Sequence, residues 1–195
     1  MKFLIVVDMQ KDFIDGSLGT PEAQAIVENV KRKIQQYKDN GDGIIYTMDT
    51  HDTDYLTTME GKALPVEHCI KGTDGWKIDE SLGVNYQEDY IVEKPTFGLI
   101  TMGDLFGQAY SDYVVNHLPD DYKDGDEVDY PNIDYFEFIG LCTDICVISN
   151  AIIAKNTFNV PIVVDASCCA GVTPEKHKAA LEVMKSCQIE VINED

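Results

Sequence analysis

Short apolar runs alternate with amphipathic stretches along most of this chain. The first apolar run covers residues 3–7, and the pair Thr20-Pro21 then introduces a stretch whose apolar residues recur every three or four positions. That stretch ends near Gly41 and predicts an amphipathic helix that connects two strands. Later apolar runs predict five further strands, at 43–48, 90–93, 134–139, 160–164 and 189–192.

Helical patterns separate most of these predicted strands. The clearest later helices are predicted at 146–156 and 174–186. Alternating strands and helices predict an α/β sandwich around a mostly parallel sheet. Two segments interrupt this order: 52–83 is a long, mostly irregular connection of a kind that is usually functional, and 112–134 is an acidic segment best interpreted as a solvated loop.

Length and charge restrict the possible functions. At 195 residues, the chain fits one domain (1–195) whose core needs neither disulfides nor a metal for stability. The formal charge of −20 would repel nucleic-acid phosphates and anionic lipids, so we expect neither nucleic acid nor membrane as a partner. The apolar run at 3–7 is too short for a signal peptide or a membrane span, which predicts a cytoplasmic protein.

Cys146 is the leading candidate for a reactive group. It follows a predicted buried strand, the bend at Gly140 and the cap residues 143–144, so it falls in the first turn of a predicted helix. Unpaired N–H groups and the helix dipole favour a thiolate at such a position. The acidic surroundings raise a thiol pKa, so a reactive Cys146 requires a nearby cation. No secretion signal accompanies the six cysteines, and no two of them form a Cys-x-x-Cys pair. The sequence therefore predicts reduced thiols.

Two other predicted strand ends carry residues that complement this thiol. Asp8 closes the first apolar run, and Lys94 closes the third. If these strands lie parallel in one sheet, their carboxyl ends bring a carboxylate, an ammonium group and a thiol into one crevice. Taken alone, Asp8 is equally typical of a turn, and Lys94 is typical of a solvated surface. Cys146 alone is typical of a buried core position. Together they supply the proton-transfer group, the positive charge and the nucleophile that amide hydrolysis requires.

A second group of residues has the composition of a metal site. Asp49 and His51 are two residues apart, which puts both side chains on the same side of an extended segment. His68 can join them from the long connection that follows. One carboxylate and two imidazoles suit Zn²⁺, Fe²⁺ or Mn²⁺, although solvent-exposed loop residues are the alternative interpretation.

Aromatic and histidine residues outside these groups have two interpretations each. Three aromatic residues are candidates either for the walls of a substrate pocket or for plain core positions: Phe13, Trp76 and Phe97. His117 and His177 are interpreted as structural or surface residues. The neighbouring thiols Cys168 and Cys169 are expected to pack at a strand end.

A family resemblance rests on the order of several motifs. They are Asp8-Met-Gln10, Asp49-Thr-His51, His68-Cys-Ile-Lys-Gly-Thr73, Lys94 and Thr143-Asp-Ile-Cys146. This series resembles the signature of the isochorismatase-like cysteine hydrolases, with the nicotinamidase branch nearest. The resemblance implies a three-layer, Rossmann-like α/β sandwich with a mostly parallel, six-stranded sheet.

The same resemblance implies an enzyme that releases ammonia from nicotinamide through a thioester. Cys146 would attack the carboxamide, Asp8 would transfer the proton, and Lys94 would hold Asp8 and favour the thiolate. The backbone N–H groups of Cys142 and Cys146 would form the oxyanion hole, with a cis peptide bond between Leu141 and Cys142.

The resemblance also extends the metal site. Glu60 matches an additional acidic ligand of some nicotinamidases, and the metal, zinc in the first place and Fe²⁺ or Mn²⁺ otherwise, would bind the pyridine nitrogen. Two features depart from the branch: Thr50 stands where tryptophan is usual, and the segment Lys94-Pro-Thr-Phe-Gly98 is more compact.

Two other functions are compatible with the sequence. One is a hydrolase of another small amide or of an N-carbamoyl compound. The other is a non-catalytic thiol or metal sensor that uses four of the cysteines: Cys142, Cys146, Cys168 and Cys169. The family often forms dimers or tetramers, and the sequence does not decide between a monomer and a homo-oligomer.

Overall fold

A parallel six-stranded sheet forms the centre of the computed structural model, which describes residues 1–116, 118 and 132–194. The strand order is β3-β2-β1-β4-β5-β6, and each neighbouring pair is parallel. The strands are β1 (Lys2–Val7), β2 (Gly43–Asp49), β3 (Tyr90–Lys94), β4 (Tyr135–Leu141), β5 (Ile162–Ala170) and β6 (Glu190–Ile192). The predicted α/β class is therefore confirmed.

Six α-helices accompany these strands within the described residues. They are α1 (Lys11–Ile14), α2 (Pro21–Asn40), α3 (Met59–Ala63), α4 (Met102–Asn116), α5 (Ile148–Thr157) and α6 (Pro174–Ser186). The start of α2 follows its sequence signal, because the Thr20 side chain accepts a hydrogen bond from the Ala23 N–H at 3.0 Å. The helix ends at Gly41, whose φ of 68° is easily adopted by glycine. None of the helices in the described part of the chain is both long and apolar enough to cross a membrane.

Side chains alternate across the sheet and build a hydrophobic core on each face. From β1, Phe3, Ile5 and Val7 contribute to one core, while Leu4 and Val6 contribute to the other. Helix α2 covers the second core, and α4, α5 and α6 cover the first. Full burial of such a side chain contributes about 1.5–3 kcal/mol. Because each central strand buries several of them, the two cores hold the strands, and therefore their ends, in place.

The structure departs most from the predicted elements at β5, α4 and α5. Strand β5 continues to Ala170 because its pairing with β4 shifts register after Phe138 and resumes at Gly140. Helix α4 lies in a segment for which the sequence predicted no element, since Gly103 and Gly107 weaken its helical pattern. The predicted helix at 146–156 is preceded by a π-helical turn (Thr143–Val147), and α5 itself begins at Ile148.

The long connection and the acidic segment differ in what the structure describes. Residues 52–83 contain only short helical pieces, namely α3 and two 3₁₀ turns (Tyr55–Thr57 and Glu80–Leu82), as the irregular pattern predicts. The acidic segment at 112–134 begins as the end of α4, and its residues 117 and 119–131 lie outside the described residues. The expectation for His117 therefore also lies outside them.

The strand order places a crevice at the middle of the sheet. The order reverses between β1 and β4, and ligands of open α/β sheets bind outside the carboxyl ends of the strands at such a point. Asp8 directly follows β1 and Cys142 directly follows β4, while Asp49 and Lys94 end β2 and β3 as register partners. The fold thereby brings the predicted functional residues to one edge.

Candidate active site

Asp8 is fixed at both carboxylate oxygens. The residue is fully buried, and its φ of 48° lies in a region that few non-glycine residues adopt. Its Oδ1 accepts a hydrogen bond from the Thr47 hydroxyl at 2.6 Å, and its Oδ2 lies 2.6 Å from Nζ of Lys94. Burial raises the pKa of Asp8, and the charge of Lys94 offsets only part of this effect. Asp8 is therefore a better proton acceptor than an exposed aspartate.

Lys94 joins the predicted catalytic residues to the predicted metal site. Its fully buried Nζ lies 3.5 Å from Sγ of Cys146 and 3.4 Å from Oδ1 of Asp49, and it donates to the Thr96 carbonyl oxygen at 3.2 Å. Burial alone would lower the pKa of Lys94, but the electrostatic interactions with Asp8, Cys146 and Asp49 together outweigh burial and raise this pKa. The side chain is a permanent ammonium group at neutral pH.

Cys146 lies in the π-helical turn between β4 and α5. Burial raises the pKa of its thiol well above the usual value, the charge of Asp8 raises it further, and Lys94 opposes both. The sequence predicted that the start of a helix would favour the thiolate, but burial has the larger effect. A protonated thiol beside a carboxylate of raised pKa is a pair in which Asp8 can accept the proton.

A cavity of about 630 Å³ opens beside Cys146. Most of its lining is apolar, from Leu18 of the segment before α2, Leu64 after α3 and Val172 after β5, among others. Cys146 lines this cavity, whereas Asp8 and Lys94 contact the thiol from within the protein. A volume of this size is within the usual range for small-molecule sites.

Two of the three aromatic candidates line this cavity. Phe13 packs against His68 with ring centroids 5.5 Å apart, and Phe97 is 45% exposed at the rim. Trp76 is not among the lining residues. Its indole N–H donates a hydrogen bond to Oγ1 of Thr50 at 2.9 Å.

Four predicted metal ligands converge at the cavity, and three of them, Asp49, Glu60 and His68, line it. One ligand atom from each residue lies within 4.8 Å of the others, the residues being Asp49, His51, Glu60 and His68. Nε2 of His51 lies 3.0 Å from Oδ2 of Asp49, and Nε2 of His68 lies 3.5 Å from the same oxygen. Glu60 is more distant, with Oε1 at 3.7 and 3.8 Å from the two imidazole nitrogens.

The surroundings of these side chains favour cation binding. Nδ1 of His68 lies 2.8 Å from the Val66 carbonyl oxygen and must donate to it, which leaves the Nε2 lone pair for a metal. Burial raises the pKa of Asp49, but the contacts with His51 and His68 and the charge of Lys94 together overcome this effect and hold the pKa below its usual range. Asp49 is thus a carboxylate at any working pH. Two imidazoles and two carboxylates fit a divalent transition metal.

Three supporting residues were not predicted as site residues. The Gln10 side chain bonds both backbone groups of Asp49, accepting from its N–H at 2.7 Å and donating to its carbonyl oxygen at 2.8 Å. Thr47 bonds Asp8, and Asn150 donates to the Cys146 carbonyl oxygen at 2.8 Å. The available signals were polar residues in apolar contexts: Thr47 within a buried strand, and Asn150 one helical turn after Cys146.

The predicted oxyanion residues border the same cavity. Cys142 and Cys146 both line it, and the peptide bond between Leu141 and Cys142 is cis, as the family resemblance implies. Cys168 and Cys169 are buried near the end of β5, in agreement with the expected packing role.

Comparisons with known proteins show the family of this chain. An isochorismatase domain model matches residues 2–112 and 126–195. A nicotinamidase of Schizosaccharomyces pombe is 26% identical over 214 residues, which cover 98% of this chain and 92% of that protein. A crystal structure of pyrazinamidase/nicotinamidase from Streptococcus mutans has a TM-score of 0.77 at 29% identity, covering 98% of this chain and 100% of the other.

A further structure shares the fold at lower identity. Pyrazinamidase of Pyrococcus horikoshii, determined in complex with zinc, has a TM-score of 0.75 at 24% identity and covers 98% of both chains. The predicted assignment to isochorismatase-like hydrolases near nicotinamidase is confirmed. The chain belongs to the isochorismatase family.

Proposed function

We propose that this protein is an amidohydrolase that converts nicotinamide to nicotinate and ammonia. The observation that carries the proposal is the contact of one buried ammonium group with both a carboxylate and a thiol. Nζ of Lys94 lies 2.6 Å from Oδ2 of Asp8 and 3.5 Å from Sγ of Cys146, beside a cavity that Cys146 lines. The similarity to nicotinamidases supports the choice of substrate.

The chemistry follows from the order of these contacts. Asp8 accepts the thiol proton as Sγ of Cys146 bonds to the carboxamide carbon, and the backbone N–H groups of Cys142 and Cys146 stabilise the oxyanion. The C–N bond then breaks, and Asp8 returns the proton to the departing ammonia. Asp8 next removes a proton from water as the water oxygen bonds to the thioester carbon. The C–S bond then breaks to release the carboxylic acid, and the Cys146 thiolate takes the proton back from Asp8. Lys94 stays protonated and offsets the changing charge of its two neighbours.

A divalent metal, zinc in the first place, would be held by Asp49, His51, Glu60 and His68. When bound, it would supply a Lewis acid that ligates the pyridine nitrogen. Phe13 would pack against the flat ring, and the ring would be oriented with its carboxamide toward Cys146. The zinc complex of the Pyrococcus horikoshii relative and the donor set of this chain support a metal of this class.

Ammonia release from a panel of amides tests the proposal. The panel contains nicotinamide, pyrazinamide, N-carbamoyl amino acids and simple aliphatic amides, and Cys146→Ala serves as the inactive control. We expect turnover of the two pyridine-type amides. Turnover of an N-carbamoyl compound or an aliphatic amide alone would reject nicotinamide as the substrate and retain the hydrolase chemistry.

Trapping the intermediate separates an enzyme from a thiol sensor. Rapid acid quench during turnover, followed by peptide mass spectrometry, is expected to find a nicotinoyl adduct on Cys146. Oxidation shared among Cys142, Cys168 and Cys169, with no acyl adduct on Cys146, would favour the sensor instead.

A further inference from the structure

A hydrogen bond connects the turn that carries Cys146 to helix α6. Oγ1 of Thr143 lies 2.7 Å from Nδ1 of His177, a pair separated by 34 residues in the sequence. Thr143 is fully buried, and His177 is half-buried. Thr143 lies between Cys142 and Cys146, the two residues proposed to donate backbone N–H groups to the oxyanion.

A second contact joins the same two segments. Oδ1 of Asp144 accepts a hydrogen bond from the Val172 N–H at 2.9 Å. A Cβ atom at Gly171 would lie 2.8 Å from that Asp144 oxygen and 2.8 Å from the backbone nitrogen of His177. Such distances are shorter than side chains tolerate, so glycine permits the close approach of segment 171–177 to the turn.

The turn depends on these outside contacts because its own hydrogen bonding is irregular. The Val147 N–H bonds to the Cys142 carbonyl oxygen at 3.0 Å, five residues earlier, which is the π-helical pattern. Short π-helical turns are rare, and they occur frequently at functional sites. Side chains on each flank hold this one: Asn150 bonds the Cys146 carbonyl oxygen, and His177 bonds the Thr143 hydroxyl.

We propose that His177 is a positioning residue. It holds the Thr143 hydroxyl, so that the turn from Cys142 to Cys146 keeps the thiol and the oxyanion donors in the correct relative positions. This role rests on the proposed hydrolysis. Misplacement of a reacting group by about 1 Å can reduce a rate by about 10²-fold, so loss of the bond would act on the chemical step. Thr143 and His177 do not line the cavity, so substrate binding would change little.

The charge state of His177 suits this role. Burial lowers the pKa of His177, Lys178 acts in the same direction, and the charges of Asp144 and Glu194 oppose them. The imidazole is therefore neutral at neutral pH, and its Nδ1 can form one hydrogen bond with the hydroxyl, as donor or as acceptor.

Removal of each partner of the bond tests the proposal. His177→Phe keeps a ring without a hydrogen-bonding nitrogen, and Thr143→Val replaces the hydroxyl with a methyl group of similar size. With the best amide of the panel, we expect each to lower kcat by about 10- to 100-fold and to change KM by less than about threefold. The double variant should be no slower than the slower single variant, because both remove one interaction.

Two further variants serve as rescue and control. Thr143→Ser retains the hydroxyl and should keep most of the wild-type kcat, while Glu182→Gln on the exposed face of α6 should keep all of it. If His177→Phe and Thr143→Val lower only the melting temperature and keep the wild-type kcat, the positioning role is wrong. Additive losses in the double variant would also reject it. Should one variant fail to fold, the other still measures kcat without the bond.

Thiol alkylation separates failure of this inference from failure of the proposed function. If the wild-type protein hydrolyses no amide of the panel, the proposed function fails, but the bond still affects the exposure and orientation of Cys146. The alkylation rate of Cys146 with iodoacetamide should then differ at least about threefold between wild type and His177→Phe. Equal rates would contradict a positioning role.

Discussion

Two lysines with buried acidic partners lie at different places in this fold. Lys33, on α2, places Nζ 2.6 Å from Oε1 of Glu137 and 2.8 Å from Oδ2 of Asp165. Lys94, at the end of β3, places Nζ 2.6 Å from Asp8 and also contacts Asp49. Both clusters therefore hold one ammonium group between two carboxylates, and both lie against the sheet.

The two clusters differ in what else the carboxylates contact. Around Lys33, the second oxygen of Glu137 accepts from the Tyr37 hydroxyl at 2.6 Å, and Asp165 accepts from Ser167 at 2.7 Å and Asn193 at 3.1 Å. These hydrogen bonds form a closed network of fixed charges. Around Lys94, the neighbours include a thiol that lines a cavity and a carboxylate of raised pKa. A lysine between buried carboxylates does not by itself indicate catalysis, whereas one that also contacts a nucleophile beside a cavity does.

Removal of the nucleophile or of its proton acceptor should have the largest effect. Cys146→Ala and Asp8→Asn should each lower kcat by at least about 10³-fold, because no other group forms the thioester or moves its proton. Circular dichroism and thermal melting should show an intact fold. Either variant with a near-normal rate of ammonia release would remove that residue from the proposed mechanism.

The two lysines provide a matched pair of substitutions. Lys94→Met should lower kcat by at least about 10²-fold, because Asp8 and Cys146 lose the ammonium group that contacts both of them. Lys33→Met should leave kcat of the folded protein unchanged but reduce the free energy of unfolding by about 3–5 kcal/mol, since two buried carboxylates lose their partner. Initial rates and urea unfolding separate the two effects. Equal losses of activity in both folded variants would contradict the assignment of Lys94 to catalysis and Lys33 to stability.

The metal ligands form the next, smaller test. His51→Ala should lower affinity for zinc by at least about 10-fold and raise KM for nicotinamide, because one of four converging donors is lost. Metal content after zinc loading and dialysis, measured by plasma mass spectrometry, checks this result. Glu67→Gln, which changes an exposed acid in the same connection, should bind zinc as the wild type does. Unchanged zinc stoichiometry in His51→Ala would reject the ligand assignment.

Sequence patterns could locate strand ends, and the site follows from them. Asp8, Asp49 and Lys94 each close an apolar run, so a parallel sheet was enough to predict their meeting at one edge. The distances depend on packing that no run encodes. The two hydrogen bonds of Gln10 to the Asp49 backbone and the contact of Thr143 with His177 join residues 39 and 34 positions apart.

Tertiary packing overrides two local sequence signals in this chain. The position of Cys146 near a helix start predicted a thiolate, but enclosure by the sheet raises its pKa. The glycines of α4 concealed a helix that packs firmly against the core through Phe106 and Ala109. In both cases, tertiary contacts decide the outcome.

The pH dependence of stability provides the smallest effect and contrasts the two clusters by sign. Burial raises the pKa of Asp165, but hydrogen bonds from Lys33 and Ser167 outweigh burial and hold this pKa below its usual value. The carboxylate therefore stabilises the fold above about pH 4, and this contribution is lost as pH falls through the folded-state pKa. Asp165→Asn should lower the free energy of unfolding by about 1–3 kcal/mol at pH 6, and the difference should shrink toward pH 3.

Asp8 should behave in the opposite way. Its pKa is raised by burial, so its carboxylate form costs stability as pH rises above about 4. Asp8→Asn removes that cost, and its free energy of unfolding should gain on the wild type between pH 4 and neutral pH. Urea unfolding of both variants across this range measures the two slopes. Slopes of the same sign would mean that the folded protein lowers the pKa of Asp8, as it does that of Asp165. Asp8 would then be a weaker proton acceptor than the mechanism requires.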